Sequence, residues 1–282
     1  STLFPYTTLF RSRFEQNAIT GKNATLSYYY HYALLSVGGE LMAAFETSLA
    51  PVSLSPIIME AVSLGADQQQ ITTFLLPVQA NNHPIYNPSL DYSVYLSQPF
   101  FFVLFQVLIL LTTVYTVGIE IKFRTATDWL ATAKGNMITA VLGKLLPYTF
   151  IYILIGWLGN YVMFGILHIP FQGSWWLINM ITVLFVIATQ ALGLFIFSLF
   201  PAVSLVISVV SMVGSLGATL SGVTFPVSNM YPLVRDASYL FPVRHFTEMI
   251  QTMLYGGGGF IYLWPSMVIL CIFPLLALSL RS

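Results

Sequence analysis

The chain has 282 residues, of which 57% are hydrophobic, 15% aromatic and only 7% charged, with a formal net charge of zero. Soluble domains carry about 25% charged residues, so this composition marks an integral membrane protein and excludes an ordinary soluble globule. Zero net charge removes any bulk electrostatic case for a nucleic-acid or acidic partner, and the single Cys271, set in a late apolar run, excludes an internal disulfide and a cysteine-based metal site.

Residues 1–12, STLFPYTTLFRS, read as neither a secretory signal nor a membrane anchor. No basic residue precedes the apolar ones, and a spanning helix needs about 20 apolar residues. The stretch resembles, residue for residue, the translation of a common DNA-sequencing adapter. It is expected to be non-native, with the natural start lost upstream of Arg13.

Residues 13–98 are soluble in character and are expected to form a small mixed α/β external domain. The run 26–48 reads as helix, kinked or divided at Gly38–Gly39. Residues 55–65 read as a short helix with Pro56 near its start and Gly65 past its end. Residues 71–79 have strand propensity, and the tyrosine cluster of 28–32 reads as packing.

Residues 99–282 form the expected transmembrane domain. Five runs are long enough to span: Phe100–Gly118, Leu145–Leu167, Trp176–Leu199, Ala202–Ser221 and Phe260–Leu280. Such runs must be helical, because hydrocarbon offers no water to loose backbone groups. Lys122, Arg124, Lys134 and Lys144 cluster in the loop between the first two runs and place that loop in the cytoplasm. The acid-rich 13–98 segment then lies outside. Five spans with an external N-terminus imply a sixth, N-terminal span missing from the sequence.

Two inter-span segments carry the functional reading. Residues 119–136 mix charge with helix-like spacing at Trp129, Leu130 and Ala133, which suits an amphipathic helix on the inner membrane face or one presented to a cytoplasmic partner. Residues 222–256 are too polar to span, and Pro226, Pro232 and Pro242 divide them into short pieces expected to be re-entrant helices at the outer face. The pair His245 and Glu248 reads as a surface hydrogen-bond network. Gly143–Lys144 is not a phosphate-binding loop, because Leu145 stands where Ser or Thr must bind magnesium and Ile138 where glycine is needed. No catalytic constellation is present, so the chain is expected not to be an enzyme.

Three stretches, YNPSLDYSVYL (86–96), GKLLPY (143–148) and SGVTFPVSNMYPLVRDASYLFPVRHF (221–246), together resemble the permease subunit of type-2 ABC exporters. The likeness is to the branch with a large external domain between the first and second spans, and it covers residues 13–282. It implies a dimer with a second permease copy or homologous half, a separate ATP-binding subunit that carries the ATP and magnesium, and a multi-pass location in the bacterial inner membrane. A periplasmic adaptor protein is a further expected partner. By the resemblance, Glu120, Lys122, Arg124, Asp128, Trp129 and Leu130 would couple to the ATPase. Phe225, Pro226, Pro232, Pro242, Arg244 and His245 would form an external gate. The family commonly has a Gly-Thr pair before its coupling helix and a proline after it; here those positions read Thr125, Ala126 and Lys134. The span interiors offer Gln106, Asn160, Asn179 and Gln190, which demand no charged cargo and suit an amphipathic or lipid-like one. A different class remains open: a non-transporting scaffold or sensor that binds a partner through its external domain.

Overall fold

The computed structural model describes residues 24–31, 43, 44, 47, 78–85, 92–169, 171, 173–200, 202–223, 227–256 and 260–279. The chain divides into two compact units, Ser1–Tyr95 and Leu96–Ser282.

In the first unit, β1 (Ala24–His31) pairs in parallel with β2 (Val78–Ile85), in register from Ala24 opposite Val78 to His31 opposite Ile85. A parallel pair cannot be closed by a tight turn, and the two strands lie far apart in the sequence. This corrects the expected helix over 26–48 at its start, since 26–31 is strand. Tyr28–Tyr30 is an aromatic run of the kind that favours extended backbone, and that preference wins over the helical pattern. Of the expected strand of 71–79, residues 78 and 79 are strand, in an element that runs on to Ile85, and 71–77 lie outside the described residues. Residues 43, 44 and 47 are helical. These pieces do not establish a mixed α/β domain. The short helix expected at 55–65 lies outside the described residues, as do residues 1–12.

The second unit is helical. Its elements are α1 (Tyr92–Lys122), α2 (Ala126–Thr132), α3 (Met137–Asn160), α4 (Trp175–Leu199), α5 (Val203–Leu220), α6 (Pro232–Ser238), α7 (Pro242–Gly256) and α8 (Phe260–Ser279). A π-helical segment, Tyr161–Ile166, prolongs α3. Five helices are long and apolar enough to cross a membrane: Leu96–Lys122, Met137–Ile166, Trp175–Leu199, Val203–Leu220 and Phe260–Ala277. The five expected spans are therefore present, but the second begins at Met137 and not at 145. Lys144 belongs to a spanning helix and not to the loop; Glu120, paired with it, makes its charge tolerable there.

Two spans sit at the centre. The apolar windows of α1 and α4 are 56% and 61% buried, against 17%, 22% and 28% for α3, α5 and α8. The peripheral helices turn large apolar side chains such as Phe150, Leu158, Met212 and Ile261 outward, as a hydrocarbon solvent allows. Gly156 on α3 faces Thr182 on α4, where a Cβ would come within 2.5 Å of the Thr182 methyl. That close crossing is secured by polar bonds in apolar surroundings. Asn160 Nδ2 donates to Thr182 Oγ1 at 3.0 Å, Thr149 Oγ1 to Gln190 Oε1 at 2.7 Å, and Trp157 Nε1 to the Asn179 carbonyl at 3.2 Å.

Short α6 and α7 lie between α5 and α8. Pro232 stands at the start of α6 and Pro242 opens α7, first-turn positions where the missing N–H costs nothing. α7 packs on α4, α5 and α8. Its Phe246 joins Phe102 of α1 and Phe185 of α4 in a fully buried aromatic triad, with centroids 4.0, 4.8 and 5.6 Å apart.

Candidate functional site

At the end of the unit that carries the basic residues, α1 and α3 are joined through α2. The helix has no buried residue. Its N-cap, Thr125, makes no side-chain cap bond to the helix. Instead the Thr125 hydroxyl donates back to Glu120 in the last turn of α1. α2 is bounded on both sides by left-handed backbone, with φ of +58° at Arg124, +53° at Lys134 and +76° at Gly135. After the second of these turns, the Asn136 side chain accepts from the N–H groups of Ile138 and Thr139 at 3.0 and 3.3 Å and so caps α3. The expected amphipathic helix of 119–136 is thus three pieces: the end of α1, a seven-residue α2, and a turn. Backbone geometry at Arg124 and Lys134 breaks what the apolar spacing alone leaves continuous.

The six expected coupling residues separate by direction. Lys122, Arg124 and Asp128 are exposed, whereas Glu120, Trp129 and Leu130 are partly buried. The Glu120 carboxylate accepts from Lys144 on α3 and from Thr125 through its two oxygens. Lys144 Nζ also lies 5.2 Å from the centroid of the Trp129 ring, within the range of a cation–π contact. Trp129 itself packs against the buried cluster of Leu110, Val114, Val117, Leu145, Ile196, Phe197, Val206 and Val210. One carboxylate, one ammonium and one indole thereby tie α1, α2 and α3 to the core of the bundle.

The second site surrounds the start of α7. Phe225 and Pro226, expected in an external gate, lie outside the described residues. Pro232 and Pro242 open α6 and α7, and Arg244 and His245 are buried in the first turn of α7. Arg244 Nη1 pairs with Glu248 Oε2 at 3.2 Å, one turn on, and Ser266 of α8 donates to the same oxygen at 3.0 Å. His245 Nε2 lies 3.0 Å from the Tyr239 carbonyl, which closes the turn between α6 and α7. Burial pushes the His245 imidazole below the ordinary histidine range; the Tyr239 carbonyl opposes this, Arg244 adds to it and Glu248 works against it. The imidazole is therefore held neutral, with Nε2–H donating. What was expected to be a surface network between His245 and Glu248 is a buried histidine beside a half-exposed carboxylate.

Gln106 was visible in the sequence only as a polar residue inside a span. In the structure it is fully buried, and its Oε1 accepts the Val243 N–H at 2.9 Å. That N–H belongs to the first turn of α7, which has no intrahelical acceptor. Gly217 of α5 makes room for the amide, since a Cβ there would meet Gln106 Nε2 at 2.6 Å. Sequence reading missed this because the two partners are 137 residues apart. Lys144 escaped for a different reason: it counted as a loop charge.

A family model described as ABC-2 family transporter protein matches residues 6–280. In the Escherichia coli K12 protein described as "Probable multidrug ABC transporter permease YbhS", 122 residues are 29% identical, taking in 42% of this chain and 32% of that protein. The protein described as "Inner membrane transport permease YhhJ" of the same strain is 30% identical over 109 residues, 38% of this chain and 28% of its own length. Each match thus spans about a third of the relative's length or less. No solved structure matches at a significant level.

Proposed function

We propose that this chain, which belongs to the ABC-2 family of transporter proteins, is the permease half of an ATP-driven exporter in the bacterial inner membrane. Five apolar helices make it a multi-pass membrane protein, and the family is one of transport permeases served by a separate ATP-binding subunit in a dimeric arrangement. The observation that carries the reading is α2. A seven-residue helix with no buried residue stands between two spans at their basic end, with left-handed backbone on each side. Such an element is built to be touched by something else. Lys122, Arg124 and Asp128 face outward from this region and are the contacts we assign to the ATPase.

In this mechanism ATP-driven closure of the partner subunits displaces α2, and the spans attached to it repack. The scheme needs two discrete arrangements, each favoured by one nucleotide state. α6 and α7 form the outer gate, with Pro232, Pro242, Arg244 and His245 at its hinge and first turn. The cargo we infer is amphipathic and moves outward. The multidrug description of one relative supports this; Gln106, Asn160, Asn179 and Gln190 add no charge to the spans and are engaged within the bundle. Nothing in the comparisons supports a periplasmic adaptor protein, and none is assigned.

The test is co-expression and co-purification of the full-length protein with any ATP-binding subunit encoded beside it, followed by hydrolysis assays in nanodiscs with ethidium and with short-chain phospholipids. Stimulated hydrolysis by either probe is the expected result. A permease that purifies without any ATPase, and an ATPase indifferent to its presence, would overturn the reading.

A further inference from the structure

We propose that Glu120, Lys144 and Trp129 form an internal brace that transmits displacement of α2 into the first two spans, with Lys144 as its positioning residue. The proposal rests on the reading of α2 as the ATPase-facing element, and it removes Glu120 and Trp129 from the set that meets the partner.

The geometry divides the labour. A lysine used for docking stands in water, where its ammonium is cheaply hydrated. Lys144 is instead four-fifths covered, with 21% of its side chain exposed, and its partner Glu120 has 19%. The ammonium sits between the Glu120 carboxylate and the face of Trp129. Glu120 is saturated from both sides, one oxygen on Lys144 and the other on the Thr125 hydroxyl at the head of α2. Two groups therefore converge on the Glu120 carboxylate of α1, Thr125 at the N-cap of α2 and Lys144 of α3, and Trp129 in the middle of α2 joins them through the Lys144 ammonium.

In sequence α2 is joined to its neighbours by residues 123–125 and 133–136, and both connections pass through left-handed backbone; Trp129 also seats the helix on the buried cluster. Left-handed turns are places where a chain changes direction, and they transmit a push poorly when the helix on one side is free to swing. With the brace in place, α2 cannot tilt without dragging Glu120 and Lys144, because each ion pair member would otherwise be left half-buried and unpaired. Lys122, Arg124 and Asp128 stand outside the brace and are exposed, Lys122 with its ammonium 5.8 Å from the centroid of the neighbouring Phe123 ring.

The experiment uses the full chain with its ATPase in nanodiscs, in a Cys271→Ser background. The reporter is Leu240→Cys, at an exposed position after α6, labelled with an impermeant maleimide before and after trapping with ATP and vanadate. The change in labelling is normalised to the nucleotide trapped. Glu120→Lys and Lys144→Glu alone should each reduce that change at least fivefold, the charge-swapped double variant should recover it to within twofold, and Lys144→Arg should retain most of it. Glu120→Gln with Lys144→Met gives the same reading with less burden on folding. Single variants that respond like the parent, or a double variant no better than the worse single, overturn the brace. A separate measurement tests the reading beneath it: Asp128→Cys should be shielded from maleimide by the ATPase. If that shielding is absent, both the reading and the brace fall; if it is present and the singles still respond, only the brace does.

Discussion

Arg124 holds a φ of +58° without being glycine, a conformation that costs an L-residue about 1–2 kcal/mol. The side chain is exposed, so little local packing offsets the strain. Arg124→Gly should raise thermal stability in detergent by about 1 kcal/mol, measured by a fluorescence melt; a lower melting point would mean that the guanidinium holds the turn by a contact stronger than the strain. The expected Gly-Thr pair was placed at Thr125 and Ala126, whereas the backbone that favours glycine is one residue earlier. His245 gives a second prediction at this scale. Its imidazole is held neutral in the folded protein by burial, while the unfolded chain takes up a proton below about pH 6.5. Its contribution to stability is therefore complete above that value and is lost as pH falls through the depressed folded value. The fall in melting temperature from pH 7.5 to 5.5 should be smaller in His245→Gln than in the parent, and an equal fall would show that the titration lies elsewhere.

At the scale of elements, α7 donates a hydrogen bond at its buried end to a side chain of another helix. Gln106→Leu keeps the volume near the same but leaves the Val243 N–H without an acceptor, a loss of about 1–3 kcal/mol for a buried donor. The variant should melt earlier by a corresponding amount. Equal melting of Gln106→Leu and the parent would show that α7 does not depend on this bond. The element scale is also where legibility in the sequence varies most. Spans could be read because hydrocarbon tolerates only long apolar runs with satisfied backbone, and that rule acts on every residue of the run. Their ends could not. Lys144 looks like a loop residue by charge, but the helix capped by Asn136 runs through it, and Glu120, 24 residues away, supplies the counter-charge. The strand at 24–31 was hidden for a related reason, since its pairing with 78–85 is set by chain that lies far off in sequence. Proline positions were more informative. Pro232 and Pro242 open helices because a ring that fixes φ and lacks an N–H suits only a first turn. The candidate coupling residues were legible as a segment but not as directions: no pattern distinguishes the inward Glu120 from the outward Lys122.

Across the whole transmembrane unit, the basic end and the α6–α7 end should face opposite compartments. In a Cys271→Ser background, Thr127→Cys on exposed α2 should react with an impermeant maleimide only in inverted vesicles, and Leu240→Cys only in intact spheroplasts. Labelling of both from one side would overturn the orientation drawn from the basic residues. Both of the sites described above are carried on α1, which runs unbroken from Tyr92 to Lys122. Gln106 and Glu120 are fourteen residues apart on it, which is about 21 Å of rise, and about 40° apart around its axis. They therefore lie on nearly the same side of one rod. Pivoted at either contact, a tilt of about 5° moves the other end by about 2 Å, while a hydrogen bond keeps its strength over only about 0.5 Å of stretch. The two attachments thus stand at the ends of an arm that is long compared with the tolerance of either catch, so a rigid tilt of about 5° about one of them would carry the other beyond hydrogen-bond reach.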